Sequence, residues 1–132
     1  DTSDKDSERP VLTSEQIQKL DNHTLIEIGA HTVQHPKLST LEYIHQLREI
    51  KNSKEDLEEI TGKKITSFAY PFGDARSFNH NSMKIVKEIG FNYVCSNIHE
   101  RVKSSSDPSL IPRFVVRNWN LEEFKSNLKN FL

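Results

Sequence analysis

The chain has 132 residues, enough for one domain with a core but few for a complete barrel enzyme. Its 18 basic and 19 acidic side chains leave a formal net charge of -1, so no overall field attracts nucleic acid or an anionic membrane surface. No apolar run is long enough to cross a bilayer, and with Cys95 as its one cysteine the chain cannot form an internal disulfide.

The amino-terminal residues, 1–11, are almost entirely polar and predict a disordered leader or a linker. They do not have the pattern of a secretory signal sequence. Thr13 and Gln16, three positions apart, resemble a capping box and predict the start of a short helix. One domain is therefore predicted over residues 12–132.

Two histidines, His31 and His35, follow the apolar run 25–30, which predicts a strand. Pro36 disfavours a helical conformation for His35, so the pair is expected in the loop where the strand ends. Neutral imidazoles are good ligands for zinc or a similar divalent ion, and functional side chains gather at the carboxyl ends of parallel strands. Thr32 stands where the helical zinc-protease pattern has a glutamate, so that pattern is excluded. The pair is a candidate for metal ligation, and the alternative is two solvated loop histidines.

Thr40 is predicted to be the N-cap of a long helix that runs to about Thr61, where Gly62 is a helix stop. Apolar spacing predicts that its inward positions are Leu41, Ile44, Leu47, Ile50, Leu57 and Ile60. Residues 65–70 then predict a second strand, which ends at the Pro/Gly turn 71–74. Because this turn lies at the carboxyl end of a strand, it is a second candidate site loop.

The rest of the chain continues the alternation of helices and strands. A helix over residues 81–89, closed by Gly90, precedes a strand over residues 91–96. After a long polar connection, residues 111–117 predict a further strand. A last helix follows, with a predicted inward stripe of Leu121, Phe124, Leu128 and Phe131. This alternation predicts an α/β fold with about four parallel strands.

Two motifs, in this order, resemble those of the polysaccharide deacetylases, carbohydrate esterase family four. Residues 31–36, His-Thr-Val-Gln-His-Pro, are similar to the family's histidine pair followed by proline. Residues 67–73, Ser-Phe-Ala-Tyr-Pro-Phe-Gly, are similar to a segment of one large branch. The resemblance continues through residues 90–91 and 111–113, and it implies a partial or deformed (β/α) barrel of the polysaccharide deacetylase type.

The resemblance also implies a reaction, the hydrolysis of N- or O-acetyl groups on a polysaccharide, and hence a hydrolase of carbon–nitrogen bonds other than peptide bonds. It implies a divalent metal, commonly zinc, held by His31, His35 and one aspartate. Such a metal polarises the acetyl carbonyl and activates water, while a carboxylate takes the proton and a donor stabilises the oxyanion. The implied oxyanion donor is the backbone amide of Phe72, in a loop with Tyr70 and Pro71 that walls the substrate groove.

Three further side chains are candidates, each with a plainer alternative. Asp74 follows the Gly73 turn and is a candidate substrate contact, although aspartate after glycine is also ordinary turn chemistry. His99, in a polar loop, is a candidate proton donor to a leaving amine, and the alternative is a solvated histidine. Arg113 is a candidate for orienting a carboxylate, and the alternative is a structural surface arginine.

The chain departs from the family where acidic residues are expected. The Phe-Asp-Asp motif that supplies the base and the third metal ligand is absent, so the chain is expected to begin after it. Ala69 replaces an arginine of some branches, Phe72 replaces a tyrosine, and a late Leu-x-His is missing. We therefore expect a deacetylase relative that lacks groups needed for activity on its own. The alternatives are a non-catalytic carbohydrate-binding or structural relative and an unrelated α/β metal hydrolase.

The partner implied by the resemblance is a polysaccharide, and the implied location is secreted, periplasmic or at the bacterial cell surface. No nucleic-acid partner is expected from the charge balance. A barrel without its first strands exposes open sheet edges, so self-association through such edges is also expected.

Overall fold

The computed structural model describes residues 11–131, in which helices and strands alternate along the chain. Over these residues the chain forms two short strands and four α-helices. The strands are β1, Ser67–Ala69, and β2, Tyr93–Cys95. The helices are α1, Ser14–Asp21; α2, Tyr43–Thr61; α3, His80–Ile89; and α4, Leu121–Phe131. The predicted α/β alternation is confirmed.

β1 and β2 pair in parallel, with Phe68 opposite Val94. Two isolated parallel bridges extend this pair on both sides, since Ala30 joins Phe68 and Ile111 joins Cys95. Four chain segments therefore lie side by side in the order in which they occur in the sequence, and α2 and α3 make the first two crossings. This arrangement is that of a partial (β/α) barrel, as predicted.

Two of the four predicted strands are wrong in extent. The segment 25–30 forms a single bridge, at Ala30, because nothing among the described residues pairs with the remainder of the segment, and Leu25 is 88% exposed. The segment 111–117 is likewise reduced to the bridge at Ile111, because the Arg113 N–H donates to the Ile98 carbonyl at 3.1 Å and does not continue the ladder to Ser96. All four predicted segments are present, but two are only points of contact with the sheet.

The core lies between the sheet and the helices α2 and α3. Its buried apolar side chains are Ala30, Leu38, Ile50, Ile65, Phe68, Tyr70, Phe78, Ile85, Val86 and Val94. One polar contact crosses this core: the Ser82 hydroxyl donates to Gln46 Oε1 at 2.6 Å, and Gln46 Nε2 donates to the Leu41 carbonyl at 2.8 Å. Because an unpaired polar group is costly in a buried site, this contact fixes how α2 and α3 lie against each other.

Several helix ends follow the capping signals of the sequence. α1 begins with the predicted capping box, in which Thr13 accepts the Gln16 N–H and the Gln16 side chain accepts the Thr13 N–H. α2 and α3 end at Gly62 and Gly90, whose φ angles of 69° and 83° are left-handed, as the predicted helix stops require. α3 starts one residue earlier than predicted, because Asn79 caps it.

The start of α2 is later than predicted. Residues Leu38–Thr40 form a short 3₁₀ turn, and the Thr40 hydroxyl donates to the Lys37 carbonyl instead of accepting a helix N–H. The helix therefore begins at Tyr43, and Ile44, which was predicted to face the core, is 46% exposed.

The predicted inward stripe of α4 is wrong for Leu121, Phe124 and Leu128, which are exposed. The contact that anchors this helix is at its carboxyl end, where the Phe131 ring stacks on Phe114 with centroids 4.1 Å apart. A helix held at one end does not bury a continuous stripe.

The predicted leader, residues 1–11, lies outside the described residues apart from Val11. Both the leader and the domain boundary at residue 12 stay predictions. Within residues 11–131 no helix is both long enough and apolar enough to span a membrane. Self-association through open sheet edges also stays a prediction.

Replacement of Ile50 by alanine should destabilise the fold, because this side chain is fully buried. We expect the free energy of unfolding to fall by about 2–5 kcal/mol, from lost burial and from the cavity left behind. Ile44→Ala, on the exposed face of the same helix, is the matched control and should cost less than about 1 kcal/mol. Urea unfolding of both variants and the unaltered chain measures the difference. Equal losses would contradict the orientation of α2.

Candidate active site

His31 lies just after the residue that bridges to β1, close to the end of that strand. The Ala30 N–H donates to the Ser67 carbonyl at 2.9 Å, and the Ala30 carbonyl accepts the Ala69 N–H at 3.0 Å. His31 follows directly, and its Nδ1 lies 2.7 Å from the Ala69 carbonyl oxygen. Because a carbonyl oxygen only accepts, Nδ1 carries the proton and Nε2 of the neutral ring is left as an acceptor. This is the tautomer in which an imidazole binds a metal ion through Nε2.

The surroundings of His31 favour its neutral form. Desolvation by partial burial lowers the pKa of His31, and the Ala69 carbonyl, which accepts the ring N–H, opposes that change. The neighbouring positive charges of His35, when protonated, and Arg113 lower the pKa further. The net lowering keeps the ring neutral near neutral pH, and only the neutral ring is a metal ligand.

The second histidine stands beside the first and beside the turn that follows β1. The ring centroids of His31 and His35 are 4.9 Å apart, and the rings meet edge to face. His35 also meets the ring of Phe72 edge to face, with centroids 4.8 Å apart. The structure therefore brings three of the predicted site residues together from two separate loops.

Both loops hold residues in the left-handed backbone region. Thr32, His35 and Phe72 have φ angles of 68°, 54° and 61°, and they are the only residues other than glycine with positive φ within 11–131. Each such conformation costs about 1–3 kcal/mol and persists only where the surrounding structure imposes it. Inside the first loop, the His35 N–H donates to Thr32 Oγ1 at 3.1 Å. Strain of this kind is typical of functional sites, and here it occurs at both candidate loops.

The Phe72 loop is held by a residue that the sequence reasoning missed, Asn97. Its Nδ2 donates to the Phe72 carbonyl at 2.7 Å, and its backbone N–H donates to the Gly73 carbonyl at 2.8 Å. Its Oδ1 accepts Arg113 Nη2 at 3.1 Å, while Arg113 Nε donates to the Ser96 carbonyl at 2.8 Å. The one feature of the sequence that could have indicated Asn97 is its position, because it is a polar residue just after a strand. Arg113 thus supports the loop, and its proposed hold on a carboxylate stays a prediction.

The backbone amide of Phe72 is the predicted oxyanion donor. Within residues 11–131 its N–H makes no hydrogen bond, although the neighbouring Gly73 N–H donates to the Pro71 carbonyl at 2.7 Å. The Phe72 side chain is 54% exposed. An N–H without an acceptor among these residues agrees with that role, which stays a prediction.

Tyr70 and Pro71, which were predicted to contact substrate, are both buried. The Tyr70 hydroxyl donates to the Ser109 carbonyl at 3.0 Å, and its ring stacks on Phe78 with centroids 4.1 Å apart. Burial raises the pKa of Tyr70 well above its usual value, so the phenol stays a neutral donor. These contacts indicate that Tyr70 and Pro71 support the Phe72 loop from the protein interior. Their direct contact with a substrate stays a prediction.

Asp74 and His99 lie in surroundings that match their plainer alternatives. Asp74 accepts the Ser77 hydroxyl and the Arg76 N–H, and these hydrogen bonds lower the pKa of its carboxyl group. His99 is exposed and lies beside Phe114, with ring centroids 5.9 Å apart. No hydrogen bond or ring contact among the described residues joins either side chain to His31 or His35, and their functional roles stay predictions.

The histidine pair fits part of a divalent metal site. Both imidazoles are present, and the tautomer of His31 leaves a ring nitrogen for ligation. Among residues 11–131, however, no third histidine, cysteine, aspartate or glutamate completes a group that could hold a metal ion. The residues therefore fit two ligand positions of a divalent metal site and do not complete one within the described part of the chain.

Solved structures with the same fold include several deacetylases. The deacetylase PplD of Streptococcus pyogenes, solved in complex with acetate, is 21% identical, with a TM-score of 0.76 over 90% of this chain and 51% of that one. A polysaccharide deacetylase from Bacillus cereus is 21% identical, with a TM-score of 0.73 over 91% of this chain and 37% of that one. A CE4 family pseudoenzyme is 21% identical, with a TM-score of 0.54 over 61% of this chain and 28% of that one. The chain thus spans about half the length of the first relative and less of the others.

The family assignment follows from the sequence itself. No curated protein matches the chain significantly. The family model described as Polysaccharide deacetylase matches residues 4–94, more than half of the chain, and its match begins inside the predicted leader. Both candidate loops lie within the matched residues, and the chain belongs to the polysaccharide deacetylase family.

Proposed function

We propose that this chain carries the histidine part of a metal-dependent hydrolase that removes N- or O-acetyl groups from a polysaccharide. The observation that carries the proposal is the hydrogen bond from His31 Nδ1 to the Ala69 carbonyl, which leaves Nε2 for a ligand beside the His35 ring. Imidazole nitrogens are common zinc ligands, and a hydrogen bond to the other ring nitrogen fixes the tautomer of such a ligand.

His31 and His35 are the residues that would hold the ion, which we propose is zinc. When bound, such an ion supplies Lewis acidity that polarises the acetyl carbonyl and activates water. We propose that the third ligand and the general base are carboxylates, and within residues 11–131 no third ligand joins the two histidines. The resemblance to the family implies the same division, because the Phe-Asp-Asp motif that is absent from this sequence would supply both carboxylates.

Residues of this chain also contribute to the acyl-transfer step. The Phe72 N–H, which makes no hydrogen bond within residues 11–131, donates to the oxygen of the acetyl carbonyl as negative charge develops there. Asn97 holds the Phe72 and Gly73 carbonyls and so fixes the direction of this N–H before substrate arrives. A donor held in advance stabilises a transition state more than one that must first be ordered.

We also propose that the substrate is an extracellular or cell-surface polysaccharide. The support is family membership together with the S. pyogenes relative, a deacetylase solved in complex with acetate. Acetate is the small product that removal of an acetyl group releases.

A second candidate function is that of a non-catalytic relative. Two observations favour it: the incomplete metal site within residues 11–131, and a CE4 family pseudoenzyme among the proteins of similar fold. Such a relative is expected to bind a saccharide without releasing acetate.

Zinc binding should depend on the histidine pair. Calorimetric titration should give one zinc ion per chain, with an affinity that falls by more than about 100-fold in the His31→Ala, His35→Ala double variant, beyond the loss typical of outer-shell changes. The matched control is the double variant His45→Ala, His80→Ala, which removes two exposed histidines from helices. Equal affinity in the two double variants would place the metal elsewhere.

Acetate release separates the two candidate functions. With zinc present, the chain should release acetate slowly from oligomers of N-acetylglucosamine, because residues 11–131 supply two proposed metal ligands and the proposed oxyanion donor but no third ligand. The His31→Ala, His35→Ala variant should release none above background. Zinc and oligomer binding without acetate release would favour the non-catalytic relative.

Alanine at position 73 should disturb the Phe72 loop. A Cβ on Gly73 would lie 2.8 Å from the backbone nitrogen of Asn97, in a residue whose φ of 72° already disfavours a side chain. Gly62→Ala is the control, because its φ is 69° and no atom lies within 4 Å of its Cβ position. Both variants should lose about 1–3 kcal/mol of unfolding free energy for the backbone conformation, and Gly73→Ala should lose more because of the contact. Urea unfolding measures the free energy of unfolding of both variants. Equal losses would mean that Asn97 does not approach the Phe72 loop closely.

A further inference from the structure

A carboxylate from α2 occupies the centre of the loop between the two histidines. Glu49 Oε2 accepts the Val33 N–H and the Gln34 N–H, each at 2.9 Å. These are two of the three residues between His31 and His35. The loop therefore closes around one oxygen atom of a side chain on α2, which lies 16 residues after Val33 and 15 after Gln34 in the sequence.

This contact gives the loop a support that its own residues do not provide. Thr32 and His35, on either side of the two N–H groups, are both in the left-handed region. The hydrogen bond from the His35 N–H to Thr32 Oγ1 is internal to the loop and moves with it. Hydrogen bonds to an ionised acceptor are shorter and stronger than neutral ones, so the carboxylate is well suited to impose this strained shape.

The position of Glu49 on its helix makes the contact rigid. The next residue, Ile50, is fully buried, and Gln46, one turn earlier, is fully buried and hydrogen-bonded to Ser82. α2 is thus fixed against α3 at the height of Glu49. Among the described residues no lysine or arginine forms a salt bridge with Glu49, so the two loop N–H groups are the partners of its carboxylate.

We propose that Glu49 is the positioning residue of the metal site, holding the loop 32–35 so that His31 and His35 present their rings together. This role rests on the proposed function, because only under that function does the histidine pair bind a metal. It adds a residue on α2 to a site otherwise built from two loops. Glu49 touches neither metal nor substrate and acts through the backbone of Val33 and Gln34.

The test has one readout without metal and one with it. Hydrogen exchange of the Val33 and Gln34 amides, followed by NMR in the absence of metal, reports the hold of Glu49 on the loop. In Glu49→Ala both amides should exchange like those of an unstructured loop, while the Val86 amide in α3 stays protected because the core is intact. Unchanged exchange of the two loop amides would overturn the proposal.

Zinc affinity then reports the consequence for the site. Glu49→Ala should bind zinc about 10–100-fold more weakly, as is typical when a group that orients metal ligands is removed. Glu49→Gln keeps an oxygen that accepts both N–H groups and should recover part of the affinity, whereas Glu59→Ala, an exposed carboxylate on the same helix, should bind as the unaltered chain does. Full affinity in Glu49→Ala would overturn the positioning role. If the unaltered chain bound no zinc, the proposed function would fail, and amide exchange alone would still decide whether Glu49 holds the loop.

Discussion

The hydrogen bond from His31 Nδ1 to the Ala69 carbonyl joins the first candidate loop to the end of β1. It forms only if the segment that ends at Ala30 and β1 are in the register given by their two backbone hydrogen bonds. A slip of one residue would turn the next carbonyl to the other side and leave the imidazole without its acceptor. The tautomer of His31, and so the ring nitrogen that it leaves as an acceptor, depends on strand register.

Support for that register comes from the helices. α2 and α3 cover the sheet, and the buried pair of Gln46 and Ser82 fixes how the two helices meet. The same stretch of α2 carries Glu49, whose carboxylate holds the histidine loop. Packing in the core and geometry at the site therefore share one helix. A small domain with few elements gains precision when one element serves both purposes.

Local signals allowed much of the fold and the central pair of the site to be predicted. Capping residues and glycines set most helix ends, and the histidine pair stood out because a proline follows it in a loop after an apolar run. What could not be predicted depends on contacts distant in sequence. Glu49 and Asn97 each bind backbone groups that lie at least fifteen residues away in sequence. The spacing of apolar residues along a chain does not indicate such contacts. The extent of the strand at 25–30 likewise depends on which other strands pair with it, and the segment's own residues do not specify those strands.

The four parallel segments lie side by side in the order of the sequence, and this order bears on how the protein is made. During synthesis each segment leaves the ribosome after the neighbour against which it will pair, so the sheet grows outward from one side. The histidine loop emerges before its support at Glu49 and its acceptor at Ala69. The loop therefore reaches its strained shape only after β1 is complete, and before that stage the two imidazoles are not held side by side.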